Sequence, residues 1–176
     1  MTEQSAGFND PPLPASKAEL LALIQQEWQA LQATVAGASE ADLLRPGPEV
    51  WSPKDHLAHL AAWLEILQKH YFGGQPFGEA AGIDLASLGD AYTMDDLNAI
   101  FFKRNQHLTL AQARAWLERE HAGSLARLAE ISFADLQRPM NPADPESRSL
   151  ILEVMANTNE HYQEHNRIIL ALLARP

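Results

Sequence analysis

Two histidines four residues apart, His161 and His165, have the type and spacing that could do chemistry. On a helix such a pair projects from successive turns, side by side, and can present two ring nitrogens to one metal ion. Leu150, Ile151, Val154, Thr158, His161, His165, Ile168, Ile169 and Leu172 recur at three- and four-residue steps. They form one stripe that would face a core, with the pair in its middle. Either both rings are core histidines held by hydrogen bonds, or they are two ligands waiting for a third.

The segment from Trp51 onward offers that third ring. On a helical wheel His56, His59, Trp63, Ile66 and His70 share one arc. His59 is the better centred, beside Trp63. His56 lies one turn nearer the helix start, where the dipole disfavours a cation. His59, His161 and His165 are therefore the expected metal ligands, with His56 as their neighbour or a surface residue. His70 reads as a helix-end residue, and His107 and His121 as ordinary loop and helix-surface residues. Three imidazoles with an open fourth position make a catalytic rather than a structural zinc-type site, and they suit nickel or ferrous iron as well. Asp55, Glu160 and Glu164 are the nearby carboxylates that could accept from the rings. Trp51, Trp63, Phe101 and Phe102 are either pocket walls or plain core, the commoner place for an aromatic at helical spacing. Asn98 and Asn105, seven apart on one helix face, either bind polar groups of a substrate or face solvent, and Trp63 and Thr158 are the other candidate substrate contacts.

Elements must position these residues. Ser16 to Glu19 reads as a capping box, followed by an amphipathic helix over about 17–36. A short turn over 39–45 precedes Pro46-Gly-Pro48. Ser52, Pro53 and Asp55 start a second long helix that runs to about residue 72 and stops at Gly73-Gly74. Residues 75–92 lack a clear period and read as a long crossover loop. Thr93 and Thr109 cap helices over about 94–106 and 110–131. A proline-containing loop over 139–146 leads to the histidine helix, read as continuous from 150 to 173. No segment alternates with period two, so the chain is expected to be all-α, a four-helix bundle with one additional short helix. Ser39 to Pro46 and Ser132 to Pro139 match at six of eight positions. Either two helix pairs are related by a pseudo-twofold, or a common helix-to-loop sequence has arisen twice.

Composition sets the bounds. The 176 residues are 46% hydrophobic, enough for one domain with a substantial core. Residues 1–15 read as a loose arm and 16–176 as the domain. The net charge of −10 without a cluster of Lys and Arg argues against nucleic acid as a partner. No apolar run is long enough for a bilayer, which excludes a membrane partner. The absence of cysteine removes disulfides and thiolate ligands, and fits a cytoplasmic location.

The stretch Trp51-Ser-Pro-Lys-Asp-His-Leu-Ala-His-Leu-Ala-Ala-Trp63 resembles the second-helix signature of the DinB-like superfamily, in which a histidine of the His-Leu pair binds metal. That position is His59. His161-Tyr-Gln-Glu-His165 resembles the last-helix motif that carries the other two ligands. Asp96 to Asn105, the helix after it and Ala156-Asn-Thr158 are similar to the ClbS/DfsB branch. The resemblance covers about 17–173. It implies a bundle with a long crossover between helices two and three, a three-histidine divalent metal site, and homodimers in many relatives. Several branches imply thiol-cofactor-dependent chemistry, so a low-molecular-weight thiol is a second expected cofactor. The ClbS/DfsB branch implies protection from reactive small molecules, including cyclopropane hydrolysis, and some of its members lack the metal histidines. This sequence keeps all three. The functional expectation is a metal-dependent enzyme acting on a small electrophile by hydrolysis or thiol transfer. Its rivals are a non-catalytic protein that sequesters such a molecule, and a bundle whose metal only stabilises a dimer.

Overall fold

The computed structural model describes residues 12–48, 50–89, 91–144 and 146–175. Most of the expected arm, residues 1–11, lies outside them. The arm's described end is tied down, because Pro14 is buried and the Ala15 N–H donates to Glu19 Oε2 at 2.6 Å. That bond takes the place of the full capping box expected at α1 (Lys17–Gly37), where Ser16 alone accepts from the Glu19 N–H.

The helix α2 (Glu40–Leu44) leads to α3 (Pro53–Ile66), which continues as a π-helical turn over Leu67–Phe72. Residues 75–92, expected as loop, hold α4 (Phe77–Ala81) and a 3₁₀ turn (Leu85–Leu88), and the expected short helix follows as α5 (Met94–Asn105) to complete the crossover. The chain ends with α6 (Leu110–Glu130), α7 (Phe133–Leu136), α8 (Leu150–Asn157) and α9 (Asn159–Leu173). Among the described residues there is no strand, only an isolated bridge between Pro139 and Ser149. The architecture is an all-α four-helix bundle of α1, α3, α6 and the α8–α9 pair.

Side-chain contacts fix the helix directions. His56 meets His165 and His59 meets His161, so α3 and α9 run antiparallel. Gln68 Nε2 donates to the Glu120 carbonyl at 3.2 Å, and Arg127 reaches the Phe72 carbonyl, so α3 with its π turn runs parallel to α6. Trp28 packs on Tyr162, while Thr34 and Gly37 share a groove with Leu170 and Leu173, so α1 and α9 are parallel. Parallel neighbours cannot be joined by a short turn. The chain must travel back along the bundle, and the crossover does this.

The first role of α3 is as the central helix. Leu57, Leu60, Ala61 and Leu64 enter the main core with Leu20, Ile24, Leu31, Leu117, Tyr162 and Ile169. On its other side Ala62, Trp63 and Ile66 bury against Ala81, Leu97 and Phe101 of the crossover. A helix that is apolar on nearly all sides is one enclosed on all sides. Its start is fixed by the Ser52–Asp55 capping box and Pro53, all as the sequence signals. Gly123 faces the Gln68 side-chain amide, which a Cβ there would displace.

The last long helix is interrupted. Thr158, at φ −124° and ψ −102°, leaves the helical region. Its N–H bonds the Met155 carbonyl, three residues back. Its hydroxyl donates to the Val154 carbonyl at 2.6 Å and so replaces the missing backbone rung. Side-chain hydrogen bonding of this kind bends helices, and no Gly or Pro marked it in the sequence.

Candidate metal centre

Two adjacent, antiparallel helices build the site. On α3, His56 and His59 are one turn apart. On α9, His161 and His165 are one turn apart. Antiparallel pairing puts His56 against His165, Nδ1 to Nδ1 at 2.9 Å, and His59 against His161, Nε2 to Nε2 at 3.0 Å. The ring of His165 also lies 4.6 Å from those of His59 and His161, centroid to centroid. One ligating atom from each of His59, His161 and His165 lies within 4.8 Å of the others, and among the described residues this is the one such cluster of three.

The rings are neutral. Burial, then the neighbouring His161 and His56, pushes the His59 pKa down to about 2. Burial likewise holds His56 and His161 at about 4, and His165 lower still. In each close pair one nitrogen must donate to the other, or a cation must lie between their lone pairs. Four-coordinate zinc at about 2.0–2.1 Å from each nitrogen places its ligands about 3.3 Å apart. His59 and His161 stand close to that spacing at 3.0 Å, and the His165 atom lies within 4.8 Å of both. The far nitrogens Nδ1 of His59 and His161 are buried and have no protein partner. Protons there would leave both Nε2 lone pairs for an ion. The donor set and its geometry thus fit a divalent metal.

The rings form the floor of an open cleft of about 760 Å³. Trp51 is one wall, 5.2 Å from the His56 ring and 5.4 Å from His59, and it stacks on Phe102 at 5.1 Å. Ile168 and Leu172 supply apolar surface, Asn98 a polar group, and Asp95, Glu164 and Arg175 charge. Val50, just before Trp51, has φ +76°, a strained conformation for a β-branched residue.

The other residues singled out in the sequence are placed as follows. Trp63 is buried, 6.3 Å from His59, and its indole N–H donates to Asn98 Oδ1 at 3.1 Å. It holds Asn98 from behind and is not a cleft wall. Phe101 is core, and Thr158 is buried in the helix break away from the cleft. Asn105 is buried beside other cavities and does not share the cleft with Asn98. His70 bonds the Gln75 carbonyl at 2.6 Å.

His121 is not a surface residue. It is buried, stacks on Trp28 at 3.9 Å, and shares a 3.1 Å hydrogen bond with the Tyr162 hydroxyl. The signal was available: Leu117, His121, Ser124 and Leu128 fall on one helical stripe.

Fold and site together define a class: an all-α bundle in which two antiparallel helices turn a histidine cluster toward an open cleft. The model of the DinB superfamily matches residues 23–169, and the chain belongs to that superfamily. No curated protein matches the chain. Among solved structures, the colibactin self-resistance protein ClbS in complex with a dsDNA aligns at TM-score 0.73 and 16% identity, covering 94% of this chain and 99% of that one. An uncharacterised protein from Escherichia coli UTI89 aligns at 0.70 and 18%, covering 90% and 93%. The Sibling Lethal Factor Precursor DfsB aligns at 0.68 and 16%, covering 90% and 95%. The likeness to ClbS and DfsB suggested by the sequence motifs is therefore found in the fold.

One expectation is overturned. Net charge and the lack of a basic run argue against nucleic acid, yet the ClbS structure carries a duplex on this same fold. A charge of −10 is a sum over the chain and does not describe any one face. It cannot exclude such a partner.

Proposed function

We propose that His59, His161 and His165 hold a divalent metal ion and that the protein uses it against a small electrophile in the cleft, as a means of self-protection. The observation that carries this reading is the convergence of three neutral imidazoles on the floor of an open cleft. The self-resistance named for ClbS lends it support. A bound ion would polarise an electrophile or acidify a water or thiol. The remaining roles belong to the chain. His56 holds the His165 ring through its Nδ1. Asn98, steadied by Trp63, offers a hydrogen bond to substrate. Trp51, Ile168 and Leu172 desolvate an apolar portion of it.

A second reading keeps the cleft and drops the chemistry: the protein sequesters its ligand. The size and openness of the cleft support binding as well as turnover. Elemental analysis of protein purified without an affinity tag separates the readings. We expect about one divalent ion per chain, lost in His161→Ala, and consumption of strained-ring electrophiles that stops on chelation. Ligand depletion without product, indifferent to chelator, would establish sequestration instead. Duplex DNA belongs in the same binding panel, because the ClbS structure contains one.

A further inference from the structure

Between α3 and α5 lies a void of about 10 Å³, walled by Asp55, Ala58, His59, Phe101, Phe102 and Asn105. Two of these residues carry buried polar atoms with no protein partner, His59 Nδ1 and Asn105 Nδ2. Both can be donors, and they come from different helices. Donors left without an acceptor in the interior bear their full desolvation penalty, so two at one void point to an acceptor between them. A void of about 10–15 Å³ holds one water, provided two to four polar groups face it. The third polar wall is Asp55. Its Oδ2 accepts from the Ser52 N–H and hydroxyl at 2.8 and 2.6 Å, and its Oδ1 lies 2.7 Å from Lys54 Nζ. Oδ1 keeps a lone pair for one more donor. Asn105 also borders an open cavity of about 290 Å³, but its Nδ2 is closed off from solvent.

We infer that one enclosed water accepts from His59 Nδ1–H and Asn105 Nδ2–H and donates to Asp55, which makes Asn105 a positioning residue for the His59 ring. The geometry of this clamp stands by itself; its consequence rests on the metal reading above. With the proton held on Nδ1, the Nε2 lone pair of His59 is the one that faces His161. The hydrogen bond at one ring nitrogen decides the state of the other. Outer contacts of this kind are worth about 10–100-fold in metal affinity.

Nitrogen-15 spectra of the histidine rings in the metal-free full-length protein read the tautomer directly. We expect His59 as the Nδ1–H form, and a shift toward Nε2–H in Asn105→Leu. A high-resolution crystal structure of the wild type should show an oxygen within hydrogen-bond distance of both nitrogens. With zinc as the probe, Asn105→Leu should bind about 10–100-fold more weakly. Asn105→Ser, which keeps a donor, should recover most of that loss. His59 found as Nε2–H, a dry void, or equal zinc affinity in wild type and Asn105→Leu overturns the proposal. A wild type that takes up no zinc defeats the metal reading alone, and the ring spectra and crystal then decide the clamp. They decide it also if Asn105→Leu does not fold.

Discussion

At the scale of single residues, spacing exposed the ligand candidates and concealed their supports. His161 and His165 stand out because four residues is one helical turn, and His59 because it shares an arc with Trp63. The partners of His121 and Asn105 arrive from other helices, so the local stripe can show that His121 faces inward but not what it bonds. His121 provides a test away from the candidate centre. Burial holds its pKa at about 4, below the ordinary 6.5, so the unfolded chain takes up this proton first as pH falls. The unfolded state therefore binds more protons between about pH 6.5 and 4, and stability declines across that window. The slope per such group approaches about 1.4 kcal/mol per pH unit. His121→Phe keeps a ring against Trp28 and removes the titration. We expect it to be less stable than the wild type at pH 7 by about 1–2 kcal/mol, since the Tyr162 hydroxyl loses its partner. We expect it to lose less further stability down to pH 4.5. Urea unfolding at a series of pH values measures both, and parallel slopes for the two proteins would count against the buried-neutral assignment.

At the scale of elements, boundaries with caps were readable and those without were not. Ser52, Thr93 and Thr109 each accept from the N–H three residues on, and each starts its helix where the motif places it. The two echoed segments build matching short helices, α2 and α7. Ser39 and Ser132 cap them, their hydroxyls donate to Asp42 and Asp135 at 2.6 and 2.5 Å, and Leu43 and Leu136 are buried. The break at Thr158 and the π turn at Leu67–Phe72 escaped detection because both keep the helical period of apolar residues while changing the backbone pairing. The Thr158 hydroxyl is the replaceable part. Thr158→Val keeps the shape and strands the Val154 carbonyl in the interior, which should cost about 1–3 kcal/mol. Thermal or urea denaturation reads that loss, and an unchanged midpoint would mean the hydroxyl does not hold the break.

At the scale of the molecule, the bundle class was legible from four long periodic segments. The helix directions were not, because they are set by contacts such as Gln68 with Glu120 that join distant parts of the chain. α3 packs on α6, α9 and the crossover and contributes to both buried clusters, which ties the bundle core to the crossover. We expect the protein to unfold in one transition, with coincident midpoints by circular dichroism and tryptophan fluorescence. Separate midpoints would show that the crossover and its Trp63 cluster melt as a unit of their own. None of the described helices is long and apolar enough to cross a membrane.

The pairing of α3 with α9 also sets an order of events. The rings of His59 and His161 are 102 positions apart in the chain and 3.0 Å apart in space. During synthesis the first imidazole leaves the ribosome long before its companions exist, and a chain stopped short of its final helix has half the cluster. Whatever the four rings hold, they can hold it only in a finished molecule, so occupancy of the centre would report that folding has reached its last step.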